Sequence, residues 1–384
     1  MSVLLALAAA TLLAAAALSV DLLTGLRSLP SLAEVPAGGG ASDAGLPPVS
    51  IVVAARDEAR HIEAALRTLL GQDYPALEVV AVNDRSTDGT AEILDRVAAG
   101  RPRLQVLHVE ALPDGWLGKN HALARGAEVA TGDLLLFTDA DVMMAPDAVR
   151  RAVHLLRDRR ADHLAVAPRI HSGSPWVTLV VTVFLVLFSA VFRPWKARDP
   201  RSRHHIGIGA FNLVRAEPYR SIGGHGAVAM RPDDDVRLGR ALKGAGFRQE
   251  AASGRDTVSV EWYPSLSAMA RGLRKNSFAV VEYRLSLVAA GTLLPLAFIF
   301  WPLAALLLTG GAVWWLNAAV VALGLFVTGY TARGHGLPLW TAAAYPVGSA
   351  LLLWMVWAAA LRAVTRGAVE WRGREYALDE LRRR

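Results

Sequence analysis

The sequence predicts an α/β fold: a Rossmann-like domain with a mainly parallel sheet, held between hydrophobic segments at both ends of the chain. Two observations carry this expectation. Strand-like and helix-like segments alternate from Val49 to Thr138, the order that generates parallel strands joined by crossover helices. Long uncharged runs lie at both ends around a mixed, charged centre, so the 53% hydrophobic content is concentrated rather than spread.

The elements follow in order. Val3–Val20 carries no charge and is just long enough to span a bilayer, with Asp21 and Arg27 behind it. Small residues at Ala14–Leu18 imitate a signal cleavage site, but no Lys or Arg precedes the apolar run. Residues 1–26 therefore read as an uncleaved transmembrane anchor with its N-terminus outside. Residues 27–48 contain a Gly/Pro-rich linker, Pro36 to Pro48. The α/β domain is expected over 49–250. Its strands are Val49–Ala54, Leu77–Val82, Leu104–Val109 and Leu134–Thr138. Its helices are Ala59–Leu70, Thr90–Ala98 and Asn120–Ala130. In the first helix Ile62, Ala65, Leu66, Leu69 and Leu70 recur at helical spacing.

Trp176–Phe192 is a further apolar run inside the domain. A single crossing there would separate the acidic residues before it from those after it. It is expected to lie in the membrane surface or to pack as a buried core helix. Residues 251–284 read as an amphipathic interface segment. Residues 285–364 hold three apolar runs, Leu285–Thr309, Ala312–Tyr330 and Leu339–Leu361, broken at Gly310–Gly311 and at Arg333–Pro338. Residues 365–384 form a basic tail. From Arg362 to Arg384 there are seven Arg against four acidic residues, which fits anionic lipid better than nucleic acid. Three crossings before that tail would put it opposite the α/β domain, whereas the charge bias wants it inside, which leaves two alternatives: one run is re-entrant, or Leu285–Tyr330 is not two full spans. The net charge is +7 and there is no Cys, which excludes disulfides and thiolate metal sites.

In parallel sheets ligands gather at the carboxyl ends of strands. Three acidic clusters sit there: Arg56-Asp57-Glu58, Asp84-Arg-Ser-Thr-Asp88 and Asp139-Ala-Asp141. Read alone, the second is also a helix-capping turn and the first is helix-start charge. Together they repel unless a cation or a ligand compensates. Residues two apart on extended backbone face the same way, so Asp139 and Asp141 converge. Without Cys or a nearby His, that pair favours a hard divalent ion, Mg²⁺ or Mn²⁺.

On these residues the chain resembles the family 2 glycosyltransferases, with their GT-A type catalytic domain. The matching pieces are Ser50-Ile-Val-Val-Ala-Ala-Arg-Asp-Glu58, Val82-Asn-Asp-Arg-Ser-Thr-Asp-Gly-Thr90 and Phe137-Thr-Asp-Ala-Asp141. The resemblance implies that Asp57 or Glu58, with Asp84, contacts the uridine of a UDP-sugar. It also implies that Asp139 lies by the ribose or diphosphate and that Asp141 binds the metal. In Leu112 to Gly126, Lys119 is expected to meet phosphate. Pro232-Asp-Asp-Asp-Val-Arg-Leu-Gly-Arg240 resembles the family's acidic pair ahead of a helix. Asp234 and Asp235 form that pair, with Asp235 as general base. His205 to Arg215, followed by Ile222-Gly-Gly-His225, resembles the acceptor side, where glycines at 207, 209, 223 and 224 suit close backbone approach to a ligand.

Processive members carry Gln-x-x-Arg-Trp after the acidic pair. Here Arg271-Gly-Leu-Arg-Lys-Asn-Ser-Phe278 stands in that place, and Arg274 and Lys275 are left as candidates for the diphosphate. The missing Trp argues against a polymer-extruding synthase. Val369 to Tyr376 resembles the tail of membrane enzymes that glycosylate lipids, carotenoid or hopanoid types among them. The expected function is inverting, metal-dependent transfer from a nucleotide-sugar to a membrane lipid or isoprenoid acceptor. The expected place is the cell's inner membrane, with the catalytic domain cytoplasmic. A processive polysaccharide synthase and a catalytically silent membrane scaffold are the rival readings.

Overall fold

A computed structural model describes residues 3–38, 45–371 and 374–382; the side chains of residues 274–276, 370, 371, 374 and 380 are not among those described. The chain divides into an α/β unit, Leu29–Ile170 with Pro194–Glu261, and a helical unit, Met1–Ser28, His171–Arg193 and Trp262–Arg384.

The α/β unit is built on eight strands: β1 (Val49–Ala55), β2 (Leu77–Asp84), β3 (Leu104–Val109), β4 (Leu134–Asp139), β5 (Val142–Met144), β6 (His163–His171), β7 (Asn212–Arg215) and β8 (Gln249–Glu261). Their order in the sheet is β3-β2-β1-β4-β7-β6-β8-β5. β3, β2, β1 and β4 are mutually parallel, and β7 runs antiparallel to both β4 and β6. β1 and β4 are buried almost throughout, as expected of parallel strands covered on both faces. Their runs of Val, Ile and Leu supply that burial. The strand order turns back between β1 and β4, which makes the ends of those two strands the switch point of the sheet.

Helices α2 (Ile62–Leu70), α3 (Thr90–Ala98), α4 (Gly118–Val129), α5 (Ala148–Asp158), α7 (Ala216–Ser221) and α8 (Asp234–Gly244) belong to the same unit. Leu123 and Ala127 of α4 and Leu238 and Leu242 of α8 share one core with Val52, Leu135, Phe137 and Val214 of the sheet. α4 lies so close to β1 that a Cβ on Gly126 would meet Val52 Cγ1 at 2.4 Å.

Two expectations need correction. The domain boundary placed at 250 falls inside β8, which continues to Glu261 and pairs antiparallel with β5. Only its last residues alternate apolar and polar, so the strand's first half has no sequence signature. The apolar run at 176–192 is a helix, α6 (Pro175–Phe192), and of its two expected settings the buried helix of the α/β core is excluded. It groups with the helical unit because it is apolar all round, and it has no polar face to turn to water.

The helical unit contains α1 (Val3–Arg27), α6, α9 (Leu266–Ala279), α10 (Leu285–Pro295), α11 (Trp301–Leu308), α12 (Gly311–Gly334), α13 (Trp340–Ala343) and α14 (Tyr345–Arg366). Residues Leu296–Phe300 join α10 to α11 as a π-helical segment; Pro302 supplies no N–H to the turn before it, the usual cause of such a break. A hairpin, Ala368–Trp371 with Arg374–Ala377, and a last turn of helix, Leu378–Arg382, end the described chain. Among the described residues five helices are long and apolar enough to cross a membrane: Val3–Arg27, Pro175–Lys196, Leu285–Leu308, Gly311–Gly334 and Tyr345–Arg366. Arg27 stacks over the Tyr330 ring and donates to its hydroxyl at 3.3 Å. Trp357 donates to Thr292 at 2.9 Å, and Arg382 donates to the Tyr283 carbonyl at 3.0 Å.

Candidate active site

The loops after β1 and β2 are tied together before any ligand arrives. Asp57 adopts the left-handed conformation at φ 53°. Its carboxylate accepts from the Thr87 N–H at 2.8 Å, and its own N–H donates to Ser86 Oγ at 3.0 Å. The Glu58 N–H donates to Thr90 Oγ1 at 2.9 Å, and Asp88 accepts from the Ala59 N–H at 3.0 Å. Asp57 and Asp88 thus cross-link two loops. The Glu58 side chain faces the end of β4, where it acts on Asp141.

Asp84 ends β2 and is almost fully buried. Arg85 Nε lies 2.8 Å from one carboxylate oxygen and Arg56 Nη1 lies 3.6 Å from the other. A Cβ on Gly118 would sit 2.1 Å from Asp84 Oδ2. Glycine at the first position of α4 is what lets the buried carboxylate fit beneath that helix.

Lys119 follows Gly118 and is the electrostatic centre of the site. Its Nζ is 2.8 Å from Asp139 Oδ1 and 3.5 Å from Asp234 Oδ1. Burial works to discharge this lysine, but Asp139, Asp234 and Asp235 together outweigh it and hold the ammonium firmly protonated. One lysine does not balance the site. Asp141 is pushed up to about 7, first by burial and then by the carboxylates of Asp139 and Glu58. Carboxylates this close to one another raise each other's proton affinity.

The three aspartates ahead of α8 have different partners. Asp233 is taken up by Arg237 Nε at 2.8 Å and Arg231 Nε at 3.2 Å, so it is structural. Asp234 faces Lys119. Asp235 is held by backbone: Oδ2 accepts from the Gly209 N–H at 2.6 Å and Oδ1 from the Val236 N–H at 2.8 Å. Its carboxyl is pushed up to about 7, by burial first and by Asp234 next. The loop 206–209 is pressed against α8. A Cβ on Gly207 would lie 1.8 Å from the Asp235 carbonyl oxygen, and one on Gly239 would lie 1.9 Å from that of Ile206. A Cβ on Gly209 would lie 2.8 Å from Asp139 Oδ2. Gly207 and Gly209 therefore make room for the protein's own carboxylates and backbone. Gly224 likewise accommodates the Tyr219 ring.

Lys119, Leu123, Phe137, Thr138, Gly209, Asn212, His225, Asp234 and Asp235 line one cavity. Two of these, Asn212 and His225, belong to the segments whose resemblance pointed to the acceptor side, though neither was given a role of its own. His225 is buried against Phe137, meets the Tyr219 hydroxyl at 2.9 Å and is pushed down to about 3 by burial and by Lys119, so it is neutral. Asn212 Oδ1 meets His163 Nε2 at 2.5 Å. Gln249 donates to His163 Nδ1 at 3.0 Å and to the Gly239 carbonyl at 2.7 Å. Burial holds His163 at about 4, neutral. No local motif marks His163 or Gln249, because the partners in this network come from different strands. The side chains of Arg274 and Lys275 lie outside the described residues.

Asp139 at the end of β4, Asp141 in the turn just after it, Lys119 from α4 and Asp234 and Asp235 from α8 thus lie together, with Glu58 acting on Asp141. Residues 50–223 match the sequence profile described as Glycosyl transferase family 2. The chain carries a family 2 glycosyltransferase domain. It is 29% identical over 201 residues to 4,4'-diaponeurosporenoate glycosyltransferase of Staphylococcus aureus, covering 50% of each chain. It is 35% identical over 139 residues to beta-monoglucosyldiacylglycerol synthase of Synechocystis, covering 36% of this chain and 29% of that one. The chain thus spans about half the length, or less, of these curated relatives. Among solved structures, a mannosyltransferase from Pyrobaculum calidifontis in complex with GDP-Man and Mn²⁺ aligns over 94% of this chain and 99% of its own. Its TM-score is 0.55 at 21% identity, a likeness of fold. The fold of the family 2 domain is GT-A.

Proposed function

We propose that the protein transfers a sugar from a nucleotide-activated donor, a UDP-sugar, to a lipid or isoprenoid acceptor at the cytoplasmic face of the membrane, with inversion at the anomeric carbon. The observation that carries this reading is the arrangement around Gly209. Its Cα packs on Asp139, at the end of the switch-point strand, while its N–H holds Asp235. A donor-side carboxylate and a separate carboxylate with raised proton affinity are therefore set on either side of one residue.

The roles follow from the partners. Asp235, held by two N–H groups and near neutral pKa, takes the proton from the attacking acceptor group. Asp234 raises that proton affinity while itself facing Lys119. Lys119 neutralises part of the negative charge and is placed to meet a phosphate oxygen. Asp84, with Asp57 and Glu58 on the neighbouring loop, forms the nucleoside end. Asp141, with Asp139, would hold Mg²⁺ or Mn²⁺, and the ion when bound supplies charge stabilisation to a departing diphosphate. Among the described residues no three His, Asp or Glu side chains converge as a ready-made metal cage.

The lipid acceptor is supported by the curated relatives, whose names give a carotenoid acid and a diacylglycerol as substrates, and by the helices described above. The deciding experiment incubates membranes containing the protein with a panel of labelled UDP-sugars and GDP-mannose, then extracts lipids and weighs the products. A single added sugar on a lipid is expected. Long polymer would favour a synthase, and no nucleotide release would leave a silent scaffold.

A further inference from the structure

The contacts at the helix ends decide how the helical unit meets a membrane. α10 with α11, and α12, are each 24 residues long and are joined by a two-residue turn at Thr309–Gly310. They form a hairpin, so α10 begins where α12 ends. Arg27, at the end of α1, stacks on Tyr330, one turn before the end of α12. Arg382, behind α14, bonds the carbonyl of Tyr283, just ahead of α10. The end of α1, the start of α10, the end of α12 and the C-terminal tail therefore share one end of the unit.

That leaves α14 with both flanks at the same end. A helix that crosses the hydrocarbon separates its flanks by about 30 Å. The path of the chain shows how α14 avoids this. After α12 it turns back along the same helix: Ala342 lies 3.6 Å from a Cβ built on Gly329, and the Tyr345 hydroxyl lies 2.9 Å from one built on Gly324. Gly324 is ten residues before the end of α12, a depth of roughly 15 Å at 1.5 Å per residue. α14 starts there and runs out to Arg366. On its way Gly348 rests on Leu179 and Val183 of α6.

α6 does not cross either. The chain leaves for it after β6 and returns from it to β7, and those two strands pair with each other. The segment between, Arg193 to Gly209, carries Arg198, Asp199, Arg201 and Arg203 and lacks regular helix or strand apart from a short turn, so it cannot be a second pass through hydrocarbon.

We propose that α14, packed with α6, is a re-entrant helix seated in one leaflet, so that α1, α10–α11 and α12 are the crossings. Its Arg362 and Arg366, with the tail behind them, face anionic headgroups on the side where α1 ends. The charge pattern agrees. No charged residue occurs between Arg284 and Arg333, so the turn at the far end is neutral, while Arg27, Arg333, Arg362 and Arg366 lie toward the shared end. Three crossings before the tail, as the apolar runs suggest, would contradict this bias; a re-entrant α14 removes the conflict. The inference is independent of the reaction proposed above.

The natural chain has no cysteine, so single-cysteine variants report cleanly. Spin labels at Val347, Trp354 and Leu361, all exposed positions of α14, should show depth falling steadily from 347 to 361 in phosphatidylcholine vesicles. A crossing helix would make 354 the deepest, which would overturn the proposal. In sealed inside-out membrane vesicles an impermeant maleimide should modify Ala377→Cys and spare Gly310→Cys. Modification of both from one side would also overturn it. Replacing part of the phosphatidylcholine by phosphatidylglycerol should draw the label at 361 deeper, and an R362Q/R366Q background should abolish that response. A label indifferent to phosphatidylglycerol would remove the anionic-lipid assignment.

Discussion

Replacing Asp235 by Asn keeps the size of the side chain and removes its ability to accept a proton. General-base loss costs roughly a hundredfold or more in kcat, about 2.7 kcal/mol in the barrier at 1.36 kcal/mol per tenfold. The structure adds a second, separate cost. The carboxylate accepts from both Gly209 and Val236 N–H groups, but an amide has one carbonyl oxygen. One of those donors will face an NH₂ group, a loss on the order of 1–3 kcal/mol in stability. Relief of the repulsion from Asp234 offsets part of it. The assay is therefore paired: kcat for sugar transfer, with donor affinity and melting temperature measured on the same preparation. Transfer should fall at least a hundredfold while donor affinity stays within a few-fold. The pH profile gives an independent check. Because the Asp235 carboxyl is pushed up to about 7, most molecules carry its proton below that value, and the wild-type kcat should fall about tenfold per pH unit on the acid side. The Asn variant should lack that limb. Near-normal turnover in the variant, or a product with the donor's own anomeric configuration, would refute the reasoning.

Asp141→Ala should cut transfer to less than about a tenth while leaving the protein folded in the membrane; chelation by EDTA should inactivate the wild type, with recovery in Mn²⁺ or Mg²⁺. Asp84→Ala should mainly weaken nucleotide binding, read by titration with UDP, and unchanged affinity would remove Asp84 from the nucleoside end. Gly118→Ala should do the same by a different route, since its methyl would meet Asp84 Oδ2 at 2.1 Å and displace it. Gln249→Leu breaks its bonds to His163, Gly239 and Ile206 and should lower the melting temperature by several degrees without changing UDP affinity, because every partner lies away from the donor loops.

Much of the donor half was legible because it is written locally. Thr90–Ala98 and Leu104–Val109 match the elements found, since helical and strand periodicity each show in a short window. Asp139 and Asp141 could be placed because a buried apolar strand runs straight into them. The acceptor half was less legible. Asp235 sits beside Asp139 only because the loop at 206–209 packs on α8, a contact of residues more than twenty positions apart. The network of His163, Asn212 and Gln249 joins three strands, and neither His163 nor Gln249 lies in a motif. Asp84 was expected at the uridine, and nothing in the sequence marks Arg56 and Arg85 as its partners. The grouping of α6 with the helical unit followed from no local signal, because an apolar helix reads the same in a protein core and in lipid.

The strand order has a consequence for how the chain is made. β1 to β4 are neighbours in the sheet and contiguous in sequence, so this half can assemble as soon as residue 139 is clear of the ribosome. β7 must then fit between β4 and β6, and β6 between β7 and β8. The second half of the sheet cannot close until synthesis has passed Glu261, after α1 and α6 have both emerged and before α10 has. The loops after β1, β2 and β4 therefore exist on the nascent chain well before Asp235 reaches its place. The domain is completed between the arrival of its first membrane helix and the departure of its last ones.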